Sequence, residues 1–131
     1  MMQMEYAAFL LAHKQYENAS RVYINILQNN ANDFDSKRTI IKNLISTYEK
    51  DGEAHKIHER QQELINMYTQ FIKNNQSSRK TSMIKYYLGL DYLKFGDTNN
   101  AKRVFEDLIS SEKDTYRTRN AKQALDRINS Q

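Results

Sequence analysis

The sequence predicts an all-α fold, and three observations lead to this prediction. The 131-residue chain contains no proline and only three glycines, whereas β-rich folds usually need more of both residues in their turns. Apolar residues recur at spacings of three and four residues along almost the whole chain, which is the period of an α-helix. Polar clusters interrupt this period, and helices are expected to begin and end at these clusters.

The interruptions divide the chain into about seven predicted helices. Asp, Ser and Thr residues stand at these points, where their side chains can accept hydrogen bonds from the free N–H groups of a helix start. The helices are predicted near 2–13, 15–29, 34–50, 53–73, 79–95, 98–110 and 114–129. The length of the chain is that of one ordinary domain.

The predicted helices form pairs with related sequences. The clearest pair contains Tyr87-Leu88-Gly89-Leu90-Asp91-Tyr92, followed by Gly96, Ala101, Phe105 and Leu108. Gly89 is expected to let two antiparallel helices approach closely, and Gly96 to adopt the positive φ that ends the first helix. This run of residues resembles the signature of the tetratricopeptide-repeat family.

Two weaker copies of the pattern precede this pair. Gly52 lies 44 residues before Gly96, and Lys14 takes the position of the turn glycine 38 residues before Gly52. Ala7 takes the position of the close-packing Gly89. The resemblance implies antiparallel pairs near 2–29, 34–73 and 79–110, stacked as a right-handed solenoid, with a capping helix at 114–129. We therefore expect one domain over residues 1–131, and the alternative that it belongs to a longer protein stays open.

The resemblance also implies a function and a site. In that family the first helix of each pair lines a concave groove that holds segments of partner proteins. We therefore expect a protein-interaction scaffold that binds a protein or peptide with apolar anchors and some acidic character. The partner-binding residues predicted on this basis are Lys42, Ser46, Lys50, Met83, Tyr86, Leu90 and Lys94.

The first predicted helix has apolar residues on every side, from Met4 through Ala12. A helix of this kind is expected to be buried all round, and only one neighbouring pair is available to cover it. We therefore expect this end to contact an upstream part of a longer protein, a partner, or a second copy of the chain.

Nucleic-acid binding is the alternative function. Residues 1–66 carry 8 Lys and Arg against 9 Asp and Glu, whereas residues 67–131 carry 12 against 7. A basic surface of this kind suits an acidic partner, although no known nucleic-acid recognition motif accompanies it. The basic residues concerned are Arg79, Lys80, Lys85, Arg117, Arg119, Lys122 and Arg127.

Catalysis is not expected, and neither is a cofactor or a metal ion. The chain has no cysteine, which excludes disulfides and thiolate chemistry, and no glycine-rich phosphate loop or nucleophile elbow. His55 and His58 lie one turn apart with Glu59 and Glu63 nearby, but no further histidine or cysteine completes a metal site. No apolar run is long enough for a membrane span. We expect a cytoplasmic protein, or a bacterial periplasmic one if a signal segment has been removed.

Overall fold

The computed structural model describes residues 2–29, 31, 33–75, 79–111 and 116–130, without the side chains of Met2 and Tyr116. These residues form α-helices and contain no β-strand. The helices are α1 (Met2–Ala12), α2 (Tyr16–Asn29), α3 (Phe34–Asp51), α4 (Ala54–Asn74), α5 (Arg79–Lys94), α6 (Thr98–Ser111) and α7 (Tyr116–Asn129). The prediction of an all-helical fold is confirmed. The first six helices begin and end within one residue of their predicted bounds, and α7 ends at the predicted residue, whereas its predicted start at 114 lies outside the described residues.

The chain divides into two compact units, Met1–Leu64 and Ile65–Gln131. The boundary falls within α4. In the first unit α2 packs against both α1 and α3; in the second, α6 packs against both α5 and α7, and α5 also contacts α7. Packing between consecutive helices is the pattern of a helical-repeat arrangement. That residues 1–131 form a single solenoid domain stays a prediction.

The three turns that follow α1, α3 and α5 have the same backbone geometry. Their turn residues all have a positive φ, of 58° at Lys14, 72° at Gly52 and 87° at Gly96. In each turn the next N–H donates to the carbonyl five residues back, with N to O distances of 2.8 Å, 3.0 Å and 2.8 Å. This is the Schellman ending of a helix. The predicted positions of the turns, including the lysine in the first, are confirmed.

Lys14 is the only residue other than glycine with a positive φ among those described. A side chain in this left-handed conformation costs about 1 kcal/mol. We therefore expect Lys14→Gly to raise the free energy of unfolding by about 0.5–1 kcal/mol, measured by urea denaturation. Gln62→Gly is the control, because a glycine at this exposed position inside α4 should lower stability by about 1 kcal/mol. A destabilising Lys14→Gly would show that the lysine side chain stabilises the turn.

The core of the first unit lies between α1, α2 and α3. Its buried residues are Ala7, Tyr23, Ile26, Ala31, Ile40, Leu44 and Tyr48. The beginning of α4 covers this core: Ile57 packs against it, and the Lys56 ammonium lies 5.7 Å from the centre of the Tyr48 ring. Burial by itself lowers the pKa of Arg60, but Glu63 and Tyr48 outweigh burial and raise that pKa above its ordinary value. These contacts hold the first half of α4 on the unit.

The core of the second unit lies between α5, α6 and α7. Its buried residues are Ala101, Phe105, Leu108, Ala121, Ala124 and Ile128. Gly89 faces the Phe105 ring directly, and no atom larger than hydrogen would fit between them. Asp97 begins α6 by accepting hydrogen bonds from the backbone N–H and the side-chain amide of Asn100. The close-packing role predicted for Gly89 is therefore observed.

The first helix exposes part of its apolar surface. Ala7 and Leu10 are buried, but Tyr6 and Phe9 are 55% and 54% exposed. The Phe9 ring is stacked on His13, with 4.2 Å between the ring centres. Within the first unit α2 therefore covers one side of α1 only. Self-association through this surface stays a prediction.

Candidate protein-binding groove

The second unit contains a groove between α5 and α7, which we call the α5–α7 groove. It encloses about 490 Å³, a volume within the usual range of ligand sites. Thr98, at the start of α6, also lines it. The lining residues are Tyr86, Leu90, Leu93, Thr98, Asn120, Gln123, Ala124, Arg127 and Ile128.

Part of the groove's lining is apolar, and we call this part the floor, although polar groups make up more of the lining. Leu93, Ala124 and Ile128 belong to the core of the unit or pack directly on it. Tyr86 is held by Phe105, with 6.1 Å between the ring centres and 50° between the ring planes, an orientation that aromatic pairs favour. Leu90 is 37% exposed, although it is a large aliphatic residue. The floor thus combines a fixed aromatic ring with an accessible aliphatic side chain.

Polar groups surround this floor and carry one positive charge. Arg127 and Gln123 are exposed, and Thr98 and Asn120 are half-buried. The guanidinium is a planar donor that pairs well with carboxylates, while the two amides and the hydroxyl can donate to or accept from a peptide backbone. In the part of the chain that the structure describes, no carboxylate lines the groove. The arrangement suits a peptide with an apolar side chain for the floor and an acidic group for Arg127.

Comparison with known proteins gives one partial match. Over 70 residues the chain is 36% identical to the mitochondrial fission 1 protein of Candida albicans. The aligned segment covers 53% of this chain and 44% of that protein, so the chain spans less than half the length of this relative. No protein-family model matches the chain.

Two of the seven predicted partner-binding residues, Tyr86 and Leu90, line the α5–α7 groove. Met83 is half-buried and Lys94 is exposed, and neither is among the lining residues. The other three, Lys42, Ser46 and Lys50, lie on α3 in the first unit, where Lys50 is exposed and the other two are half-buried. The partner-binding roles of all seven residues stay predictions.

The contribution of α7 to the groove was not predicted from the sequence, because the repeat pattern indicates a capping role for this helix. Asn120, Gln123, Ala124 and Arg127 are spaced by three and four residues, which places them on one helical face. This spacing is the signal that could have identified them. If α7 is taken as the first helix of a further pair, the family pattern predicts that it lines the groove beside α5.

The histidine pair on α4 lies on a solvated surface. His55 Nε2 is 2.9 Å from Glu59 Oε1, and both side chains are more than half exposed. His58 is exposed as well. In the part of the chain that the structure describes, no three potential ligand side chains come together to hold a metal ion. Nor is any helix there long and apolar enough to cross a membrane.

Two of the basic residues considered for nucleic-acid binding contact other side chains in the second unit. The Lys80 ammonium lies 5.8 Å from the centre of the Phe71 ring. Lys85 Nζ is 3.1 Å from Asp107 Oδ2, so an acidic group neutralises the charge it would offer to a phosphate. Arg79, Arg119, Lys122 and Arg127 are exposed. They lie on two helices, α5 and α7.

Proposed function

We propose that the chain is a tetratricopeptide-like module that binds a segment of a partner protein in the α5–α7 groove and has no catalytic activity of its own. One observation carries the proposal. Leu90 exposes apolar surface on the floor of a groove where Arg127 is the only charged residue among the described lining residues. Binding energy at protein interfaces is concentrated in such apolar and arginine anchors.

The partial match with a known protein suggests the cellular process in which a partner should be sought. That protein is named for mitochondrial fission, and a protein of that process is therefore the first class of partner to test. A cytoplasmic location fits this setting and is part of the proposal. Self-association through Tyr6 and Phe9 would be a second, separate contact of the same scaffold, because these residues lie on α1.

The binding prediction is tested with short peptides selected from a random displayed library on the full chain. We expect Leu90→Asp to lower the affinity for the selected peptides at least about tenfold, or by about 1.4 kcal/mol, as measured by fluorescence anisotropy. The substitution removes the apolar contact and places a carboxylate on the floor. Arg127→Glu is expected to lower the affinity for acidic peptides more than for the other selected peptides, because it reverses the charge that pairs with them.

Asn99→Asp is the matched control. It adds the same carboxylate at an exposed position of α6 that does not line the groove, so the affinities should not change. Circular dichroism of all three variants should match that of the original chain. Selected peptides that bind Leu90→Asp as tightly as the original chain would contradict the proposal.

A further inference from the structure

The second unit has another groove, formed by α4, α5 and α6, which we call the α4–α6 groove. It encloses about 360 Å³. Its lining residues are Thr69, Ile72, Lys73, Lys85, Leu88, Arg103, Val104 and Asp107. Nothing in the proposed function uses this surface.

The two grooves lie on different faces of α5. Lys85 and Leu88, which line the α4–α6 groove, are three residues apart and share one face. Leu90 lies about 140° around the helix from Lys85, since each residue turns an α-helix by about 100°. A substitution in one groove therefore leaves the lining of the other intact.

The α4–α6 groove combines an aliphatic floor with a basic rim. Ile72, Leu88 and Val104 supply the floor, with Leu88 buried and the other two half-buried. The rim has three cations against one carboxylate, and that carboxylate, on Asp107, is 3.1 Å from Lys85. The two remaining cations, Lys73 and Arg103, are exposed. Their charge is left for an external acidic group.

We propose that the α4–α6 groove binds an acidic amphipathic helix of a partner protein. The apolar side chains of the partner helix, spaced by three and four residues, would pack on Ile72 and Val104, as amphipathic helices do in apolar grooves. Carboxylates beside them would face Lys73 and Arg103 across the groove. The surplus of basic residues in this unit, 12 against 7 over residues 65–131, would speed the encounter with such a partner.

The composition of the groove favours a protein over a nucleic acid. Among the described residues no aromatic ring lines it, whereas single-stranded nucleic acids bind by stacking bases on such rings. Asp107, 60% exposed, would repel a phosphate backbone passing over Lys85. An aliphatic floor contributes nothing to phosphate binding, but it is what an apolar helix face requires.

The test uses the full chain and labelled helical probes of about 18 residues, or five turns. The first probe carries leucines on one face and glutamates beside them. In the second lysines replace the glutamates, in the third serines replace the leucines, and the fourth is an oligothymidylate of equal length. We expect the first probe to bind at least about tenfold more tightly than any other, in fluorescence anisotropy at physiological salt.

Variants then locate the binding site of the first probe. We expect the affinity for the first probe to fall at least about tenfold in two variants. These are the double variant Lys73→Glu, Arg103→Glu and the single variant Val104→Asp. Leu90→Asp should leave its affinity unchanged, because that residue lines the other groove. Arg21→Glu, a charge reversal of a side chain that is 69% exposed on α2 in the first unit, should also have no effect.

Several results would overturn the inference. They are no binding of the first probe, equal binding of the lysine or serine probe, and preferential binding of the oligothymidylate. Loss of binding in Leu90→Asp but not in Lys73→Glu, Arg103→Glu would overturn it too, since the probe would then occupy the α5–α7 groove. That last result would still agree with the proposed function, so the two proposals can fail separately.

Discussion

Gly89→Ala is expected to destabilise the second unit by about 1–3 kcal/mol, the usual cost of overpacking a core. A Cβ atom at this position would lie 2.4 Å from Cε1 of Phe105 and 2.6 Å from its Cζ. These distances are far shorter than a van der Waals contact. The ring cannot turn out of the way, because Phe105 is fully buried between α5, α6 and α7. Alanine gains up to about 1 kcal/mol of helix propensity over glycine, which offsets only part of this cost.

The measurement is the free energy of unfolding from urea denaturation, in a cycle with Phe105→Leu. The smaller leucine leaves room for the new methyl group. Gly89→Ala should therefore be neutral or stabilising in the Phe105→Leu background, and this reversal measures the contact itself. A stabilising effect of Gly89→Ala in the original chain would contradict the close packing of the two helices.

Ala7→Gly is the matched control. Ala7 occupies the position of Gly89 in the first pair and is also fully buried, but the residue there is already an alanine. Its replacement should cost about 1 kcal/mol through helix propensity and about 0.8 kcal/mol more through the loss of a buried methyl group. The two substitutions thus change the same repeat position in opposite directions, and both are expected to destabilise the chain for different reasons.

The sequence was sufficient to predict the helices and the turns between them. Both depend on local signals: the period of the apolar residues, and glycines such as Gly52 and Gly96 that tolerate a positive φ. Lys14 could be placed in a turn only because the repeat aligns it with those glycines. Local propensity would have kept this lysine within a helix.

The site was less predictable, because exposure depends on which neighbours a helix acquires. Tyr86, Leu90 and Lys94 lie on one face of α5, yet only the first two line the groove. The position of α7 beside α5 decides this, and no residue of α5 encodes it. The α4–α6 groove was missed for the same reason, since its cations are far apart in sequence and resemble an ordinary solvated surface.

Buried polar contacts were not predictable either. Asp91 stands in the repeat signature between Leu90 and Tyr92, and a charged residue in a helix is ordinarily expected at the surface. In the structure it is only 3% exposed. Its hydrogen-bond partner Tyr68 is on α4, 23 residues away, and the sequence gives no sign that the two residues meet.

Tyr68→Phe is expected to lower the free energy of unfolding by about 1.5–3 kcal/mol, the range for a hydrogen bond to a charged group. The Tyr68 hydroxyl donates to Asp91 Oδ2 at 2.5 Å, and the Tyr68 side chain is completely buried. Removing only the hydroxyl keeps the ring in place. It deprives a buried carboxylate of this donor where water has little access, so the desolvation of the carboxylate is no longer offset.

Urea denaturation of Tyr68→Phe, Asp91→Asn and the double variant measures the contact. The asparagine keeps an acceptor for the Tyr68 hydroxyl but carries no charge, so Tyr68→Phe should cost only about 1 kcal/mol in that background. Tyr6→Phe is the control, because Tyr6 is 55% exposed and its change should stay within about 0.5 kcal/mol. If Tyr68→Phe were as mild as Tyr6→Phe, the hydrogen bond would contribute nothing to stability. Asp91 would then be held in the core by its other contacts, and the attachment of α4 to α5 would rest on apolar packing.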